Sequence, residues 1–235
     1  MGTSSADTVL LVHGWGGSFE ATWTGNGFAD LLADGGKQVV GVDLLGHGEA
    51  PKPHDPAAYA DLTERVVDAL GDEPVAAIGF SLGALTLLRT AIARPERFER
   101  LVLAGIGRNV LHPEHAGSRQ IADGLQSLVD GAELAKLEHV PRLFAQYASR
   151  PGNDLQALTA VMRRPPGPEI TPASLAAVTC PVLVVVGADD FVHPGDELAE
   201  AFPDGRCVTL PRTDHFATTD SFGFYDAALE FVGAL

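Results

Sequence analysis

The chain has 235 residues, with 31 Asp and Glu against 16 Lys and Arg and a formal charge of −15 at neutral pH. That balance argues against nucleic acid, which rewards Lys and Arg, and against an anionic membrane surface; no apolar run approaches the ~20 residues of a membrane span. A chain of this length is expected to bury roughly 70% or more of its unfolded surface, as one domain or as a core with a small insert.

Residues Met1 to Asp7 are small and polar, with no cationic region before the first apolar run. No signal peptide is expected, and the protein reads as cytoplasmic. Thr8–Val12 is the first predicted strand, ending in the loop His13-Gly14-Trp15-Gly16-Gly17-Ser18. A helix is predicted over Thr22–Leu32, closed by Asp34-Gly35-Gly36. Gln38–Val42 is the next strand, followed by Asp43-Leu44-Leu45-Gly46-His47-Gly48. Ala57–Leu70 has helical spacing, with Leu62, Val66, Ala69 and Leu70 on one stripe.

Val75–Phe80 is an apolar strand that runs into Gly79-Phe80-Ser81-Leu82-Gly83 and a helix over Leu82–Ala93, which Pro95 ends. Strand, tight turn and helix form the context in which a G-x-S-x-G run carries meaning. The turn strains the backbone at Ser81, and two glycines let strand and helix approach around it. The helix directs its positive end at the serine.

Leu101–Ala104 is another strand, after which the alternation breaks. From about Gly107 to Pro172 only helical patterns appear, over Ser118–Val129, Ala132–Glu138, Pro141–Ala148 and Leu155–Arg163. The strands resume at Pro181–Val186 and Cys207–Leu210, with helices over Gly195–Ala201 and Phe222–Val232. Alternating strands and helices predict a doubly wound, mostly parallel sheet of about six strands. Residues 1–106 and 173–235 form the expected α/β core, and 107–172 a helical cap insert.

A serine at neutral pH is a weak nucleophile and needs an adjacent base oriented by a third group. Asp189 and Asp190 follow the Pro181–Val186 strand in a Gly-x-x-Asp turn, at the sheet edge where active sites of open α/β sheets collect. Asp190, farther past the strand, is the expected acid, and Asp189 is its rival. His215 follows the Cys207–Leu210 strand and is the expected base. Its neighbour Asp214 would point elsewhere in an extended loop. Acyl transfer also needs preset N–H donors for the developing oxyanion. The backbone amides of Leu82 and Trp15 are the candidates. His13 is expected to brace the Gly-rich loop. His47 sits in a tight turn, and His54, His112, His115, His139 and His193 are read as structural or solvated.

Taken together, His13-Gly14-Trp15-Gly16-Gly17, the Asp43 motif, the Ser81 turn, Gly187-Ala188-Asp189-Asp190 and Asp214-His215-Phe216 resemble the α/β-hydrolase superfamily over nearly the whole chain. The resemblance implies Ser81 as nucleophile, Asp190 as orienting acid, His215 as base, and Trp15 and Leu82 as oxyanion donors. Within the superfamily the loop and turn are similar to small capped serine carboxylesterases, of the pimeloyl-acyl-carrier-protein methyl ester esterase type. Departures are Gly48-Glu49-Ala50, where a serine is usual after the variable residue, and Ala84 in place of a second glycine. The chain also starts at what would be the superfamily's third strand.

The expected activity is hydrolysis of carboxylic esters of small to medium acyl groups through an acyl-enzyme. The alternatives are C–C bond hydrolysis, elimination or acyl transfer by the same three residues, and a ligand receptor without turnover. Leu125, Phe144 and Val161 are candidate pocket residues. Between Arg108 and Arg164 the chain carries seven Lys and Arg against six Asp and Glu, leaving −16 for the rest. The arginines there (Arg119, Arg142, Arg150, Arg163 and Arg164) are read as solvated helix faces, with an acidic substrate or carrier protein as the other reading. Cys180 and Cys207 have no metal spacing and read as reduced thiols. No metal or organic cofactor is implied. The expected partner is a small-molecule ester, free or carrier-bound, on a monomer or homodimer.

Overall fold

The computed structural model describes residues 7–235, apart from the side chain of His115. The polar N-terminal stretch read above, residues 1–6, lies outside them. Six strands form one all-parallel sheet in the order β2-β1-β3-β4-β5-β6. They are β1 Thr8–Val12, β2 Gln38–Val42, β3 Val75–Phe80, β4 Phe98–Ala104, β5 Val182–Gly187 and β6 Gly205–Leu210. β3 and β5 are buried along their full length. β2 and β6, at the two edges, are only partly buried.

The continuous apolar runs of the inner strands follow from covering on both faces. Successive side chains point to opposite sides. Leu10, Val12, Val75 and Ala77 join one core with Leu87 and Leu88. Val9, Leu11, Ala76 and Ile78 join the other with Trp23, Phe28 and Phe224. The helices, in chain order, are α1 Phe28–Asp34, α2 Glu64–Ala69, α3 Leu82–Ala93, α4 Arg108–Leu111, α5 His115–Val129, α6 His139–Ala148, α7 Leu155–Met162, α8 Pro172–Leu175, α9 Asp196–Glu200 and α10 Phe222–Val232. None is long and apolar enough to cross a membrane.

Three predicted helices differ in detail. The Thr22–Leu32 helix splits into a π turn over Glu20–Thr24 and α1. Gly27 takes φ +81°, and Asn26 Oδ1 accepts from the Phe28 N–H, so α1 restarts there. The Ala57–Leu70 helix splits into a 3-10 turn over Pro56–Tyr59 and α2. Asp61 Oδ1 accepts from both the N–H and the hydroxyl of Thr63 and competes with a continuous helix. Ala132–Glu138 shrinks to a 3-10 turn over Leu134–Lys136. Conversely α6 begins two residues before Pro141, because a first-turn proline gives up only an N–H with no helical partner.

The helices from α4 to α8 all lie between β4 and β5 in the chain. They are attached to the first loop of the core at three points. The Trp15 indole N–H donates to Leu158 O at 3.1 Å. Asn153 Nδ2 donates to Gly16 O at 2.9 Å. The Tyr147 ring lies where a Cβ on Gly16 would stand, 2.7 Å away. Gly16 also has φ +72°, so both conformation and space require glycine there.

Candidate active site

Ser81 sits between β3 and α3 with φ 51° and ψ −110°. A non-glycine residue in that region stores about 1–3 kcal/mol of backbone strain, which the surroundings must hold. The restraints are visible. The Ser81 N–H donates to Ala104 O on β4 at 2.8 Å. A Cβ on Gly79 would meet Ala84 N at 2.7 Å, and one on Gly83 would meet the carbonyls of Val12 and His13 at 2.4 Å. The turn closes only because both positions lack a side chain.

The β5 and β6 loops bring Asp190 and His215 to the same edge. They interlock where the Asp189 N–H donates to Thr213 O at 3.0 Å. A Cβ on Gly187 would stand 2.0 Å from that same oxygen. Arg212, in the β6 loop, takes the left-handed φ of 52°. His215 is 6% exposed and Asp190 5%. His215 Nδ1 lies 2.9 Å from Asp190 Oδ2 and 3.1 Å from Oδ1, and its Nε2 lies 3.0 Å from Ser81 Oγ. Facing a carboxylate, Nδ1 carries the proton. Nε2 then presents its lone pair to the Ser81 hydroxyl. The rivals are elsewhere: Asp189 is exposed, and Asp214, also exposed, accepts from the Ala217 N–H.

β1 pairs directly with β3, Val12 standing beside Gly79, so the Gly14–Gly17 loop shares the edge with Ser81. Among the described residues neither the Trp15 nor the Leu82 amide donates to another protein group. His13 is fully buried behind this loop. Its Nε2 accepts from the Leu44 N–H at 3.1 Å, so Nδ1 carries the proton and donates to Gly14 O at 2.7 Å. The Gly17 N–H also donates to Gly14 O. In a trans peptide C=O and N–H point opposite ways. Two donors on the Gly14 carbonyl therefore hold the Trp15 N–H pointing away from His13.

His47 is also fully buried, its ring 5.0 Å from that of His13 and tilted 51° to it. Burial first, then repulsion from His13, pushes its pKa from 6.5 down to about 3. Burial also lowers that of His13, against opposing contributions from Gly14 O and Asp43. Both histidines are held neutral when folded, and below about pH 6.5, where the unfolded imidazole is protonated, unfolding takes up protons. For His47 the contribution is complete above about pH 6.5 and is lost as pH falls toward 3, at up to about 1.4 kcal/mol per pH unit, and His13 acts in the same direction. Urea unfolding at pH 7 and pH 5 should show this loss, and His47→Gln should lessen it. An equal loss in the variant would contradict the assignment.

The sequence reading missed the rings around the imidazole. Phe191 lies 4.5 Å from the His215 ring, Phe80 5.1 Å and Phe216 5.7 Å. Phe191 and Phe216 are 58% and 36% exposed. A large apolar residue directly after Asp190 and after His215, in otherwise polar loops, was the available signal. Of the three pocket candidates, Phe144 reaches this group, with its ring 5.6 Å from Trp15. Leu125 and Val161 are fully buried in the larger core.

The arginines largely hold local partners. Arg163 pairs with exposed Asp123, Arg164 donates to Val161 O, and Arg150 lies 4.0 Å over the Tyr147 ring. Cys180 and Cys207 are free thiols, and burial pushes the Cys180 pKa up to about 11. Among the described residues no three His, Cys, Asp or Glu side chains cluster as metal ligands would. Two surface depressions of about 230 Å³ lie away from Ser81, one beside Asp43 and Arg65, the other beside Gly124 and Pro141.

The sequence pattern of the alpha/beta hydrolase fold matches residues 7–153. The chain belongs to the α/β-hydrolase family. Among α/β-hydrolase relatives, it is 27% identical to the pimeloyl-[acyl-carrier protein] methyl ester esterase of Neisseria meningitidis, over 88% of this chain and 85% of that one. It is 26% identical to the 2-hydroxy-6-oxononadienedioate/2-hydroxy-6-oxononatrienedioate hydrolase of Cupriavidus pinatubonensis, over 98% of this chain and 88% of that one. Among solved structures, a hydrolase from Pseudomonas aeruginosa superposes with a TM-score of 0.68 at 27% identity, over 99% of this chain and 92% of that one.

Proposed function

We propose that this α/β-hydrolase cleaves carboxylic esters of small to medium acyl groups through an acyl-enzyme on Ser81. The observation that carries the reading is the unbroken hydrogen-bonded line from Asp190 through His215 to the strained Ser81. His215 Nε2 takes the hydroxyl proton as Ser81 Oγ adds to the ester carbonyl. The carbonyl oxygen becomes an anion, and the Leu82 and Trp15 amides receive it. Each such donor is worth about 2.7–4 kcal/mol of barrier. The C–O bond to the alcohol then breaks, and His215 returns the proton to the departing oxygen. A water, deprotonated by His215, attacks the acyl-enzyme and releases the acid. Asp190 holds the imidazole in the required tautomer and offsets the charge it gains.

We read the α4–α8 excursion as a cap over this edge, since Trp15 and Gly16 both bond to it. The similarity to an esterase of a carrier-bound methyl ester supports a small-molecule acyl ester, free or on a carrier. The similarity to a hydrolase of 2-hydroxy-6-oxo diacids supports a second reading, in which the same three residues cleave a C–C bond.

Fluorophosphonate treatment tests the shared chemistry. The expected product is one adduct, located on the peptide containing Ser81, with parallel loss of p-nitrophenyl ester turnover. Labelling elsewhere, or ester turnover that survives full labelling, sinks both readings. Faster turnover of a vinylogous diketone than of any ester would select the second. Tight ligand binding without turnover of either class would leave a receptor.

A further inference from the structure

We propose that Phe144 sets the size of the group that the site accepts beside Ser81, admitting short or flat apolar groups and turning away longer chains. The proposal rests on the ester-hydrolase reading and assigns its specificity to one side chain. Phe144 comes from α6, whose residues Val140, Leu143, Phe144 and Tyr147 share one face by helical spacing. Its ring meets one aromatic side chain from each of the three loops that build the site. It lies 5.6 Å from Trp15 of the first loop, 6.5 Å from Phe191 beside Asp190, and 5.7 Å edge-on from Phe216 beside His215. Phe191 and Phe216 themselves flank the imidazole. Phe144 thus stands one ring away from the reacting groups and touches all three walls.

The four rings differ in their freedom to vary. Phe191 follows Asp190 and Phe216 follows His215 in sequence, so their backbones are held by the acid and the base. Trp15 offers its amide to the site, and its indole is tied to Leu158 O. Phe144 alone of the four comes from the helical excursion, and no hydrogen bond holds its side chain. It can change without moving a reacting atom. An aromatic group in this packed position excludes volume, and close packing makes even a methylene felt. Trimming it would open room along that same α6 face, where the neighbouring Leu143 is 37% and Val140 47% exposed. A longer acyl chain then has apolar surface to lie on.

The test compares p-nitrophenyl acetate and octanoate in the wild type and in Phe144→Ala, Phe144→Leu and Phe144→Trp. The readout is the octanoate-to-acetate ratio of kcat/KM, which absolute losses shared by both substrates do not move. The ratio is expected to rise about tenfold or more in Phe144→Ala, the size of discrimination that apolar pockets achieve. It should rise less in Phe144→Leu and fall in Phe144→Trp. A ratio that stays put in the folded variants overturns the proposal, as does a fall on trimming. Should Phe144→Ala not fold, the Leu and Trp variants decide it by moving the ratio in opposite directions. A small fluorophosphonate run alongside separates the two levels: no Ser81 adduct in the wild type removes the hydrolase reading and this proposal with it, whereas an adduct with a fixed ratio removes the proposal alone.

Discussion

Ser81→Ala is expected to lower kcat for an activated ester by roughly 10⁴- to 10⁶-fold while the protein stays folded. Alanine removes the Oγ that stands 3.0 Å from His215 Nε2 and changes nothing else in the turn. The residual rate would come from water activated by His215 and from the two amides. His215→Gln should fall by a similar factor, because a hydroxyl without its base is no nucleophile. The double variant should fall no further than the worse single one, since the two groups act as a unit. Steady-state kinetics on purified variants checks all three, and additive losses would mean that the residues do not share one step. Ser81→Gly provides a control on the backbone. It should lose activity equally yet gain about 1 kcal/mol of stability, as glycine releases the strain of φ 51°.

Asp190→Asn is expected to lower kcat about 10⁴-fold, through the tautomer of His215 rather than through charge alone. Asp190 Oδ1 accepts from the Val192 N–H at 3.0 Å. In the asparagine the carbonyl oxygen must keep that position, so the NH₂ group takes the place of Oδ2. That atom lies 2.9 Å from His215 Nδ1. Two N–H groups cannot face each other there. Nδ1 becomes the acceptor, the proton moves to Nε2, and Ser81 faces a donor where it needs a base. Asp189→Asn and Asp214→Asn, both exposed positions, should leave kcat nearly as it was. If Asp189→Asn proves as damaging as Asp190→Asn, the assignment of the acid is wrong.

The fold was legible because its signals are local and repeated. Leu10–Val12, Ala76–Phe80 and Val182–Val186 are apolar on both faces, which only a covered parallel strand requires. The helices were less so. The break at Asn26 depends on a side chain capping Phe28, and the one at Asp61 on a carboxylate competing with the helix. Such competition is decided by a few tenths of a kcal/mol to about 1 kcal/mol per contact, below what spacing resolves.

In the candidate site, Ser81, Asp190 and His215 could be picked out because each follows a strand at the same sheet edge. The choice of Asp190 over Asp189 became a matter of distance only once the β5 and β6 loops locked together at Thr213. The bracing role expected of His13 acquires a direction in the structure: it holds the Gly14 carbonyl from behind.

The sequence alone determined which runs form the sheet and singled out Ser81, Asp190 and His215 as candidates for the chemistry, because both are written in residue type and period. Tertiary structure decided which groups meet. The line from Asp190 to Ser81 joins residues 25 apart at His215–Asp190 and 134 apart at His215–Ser81. The collar of Trp15, Phe144, Phe191 and Phe216 draws on four separate segments. No period or motif encodes such contacts, since they arise when distant loops converge on one edge of a parallel sheet.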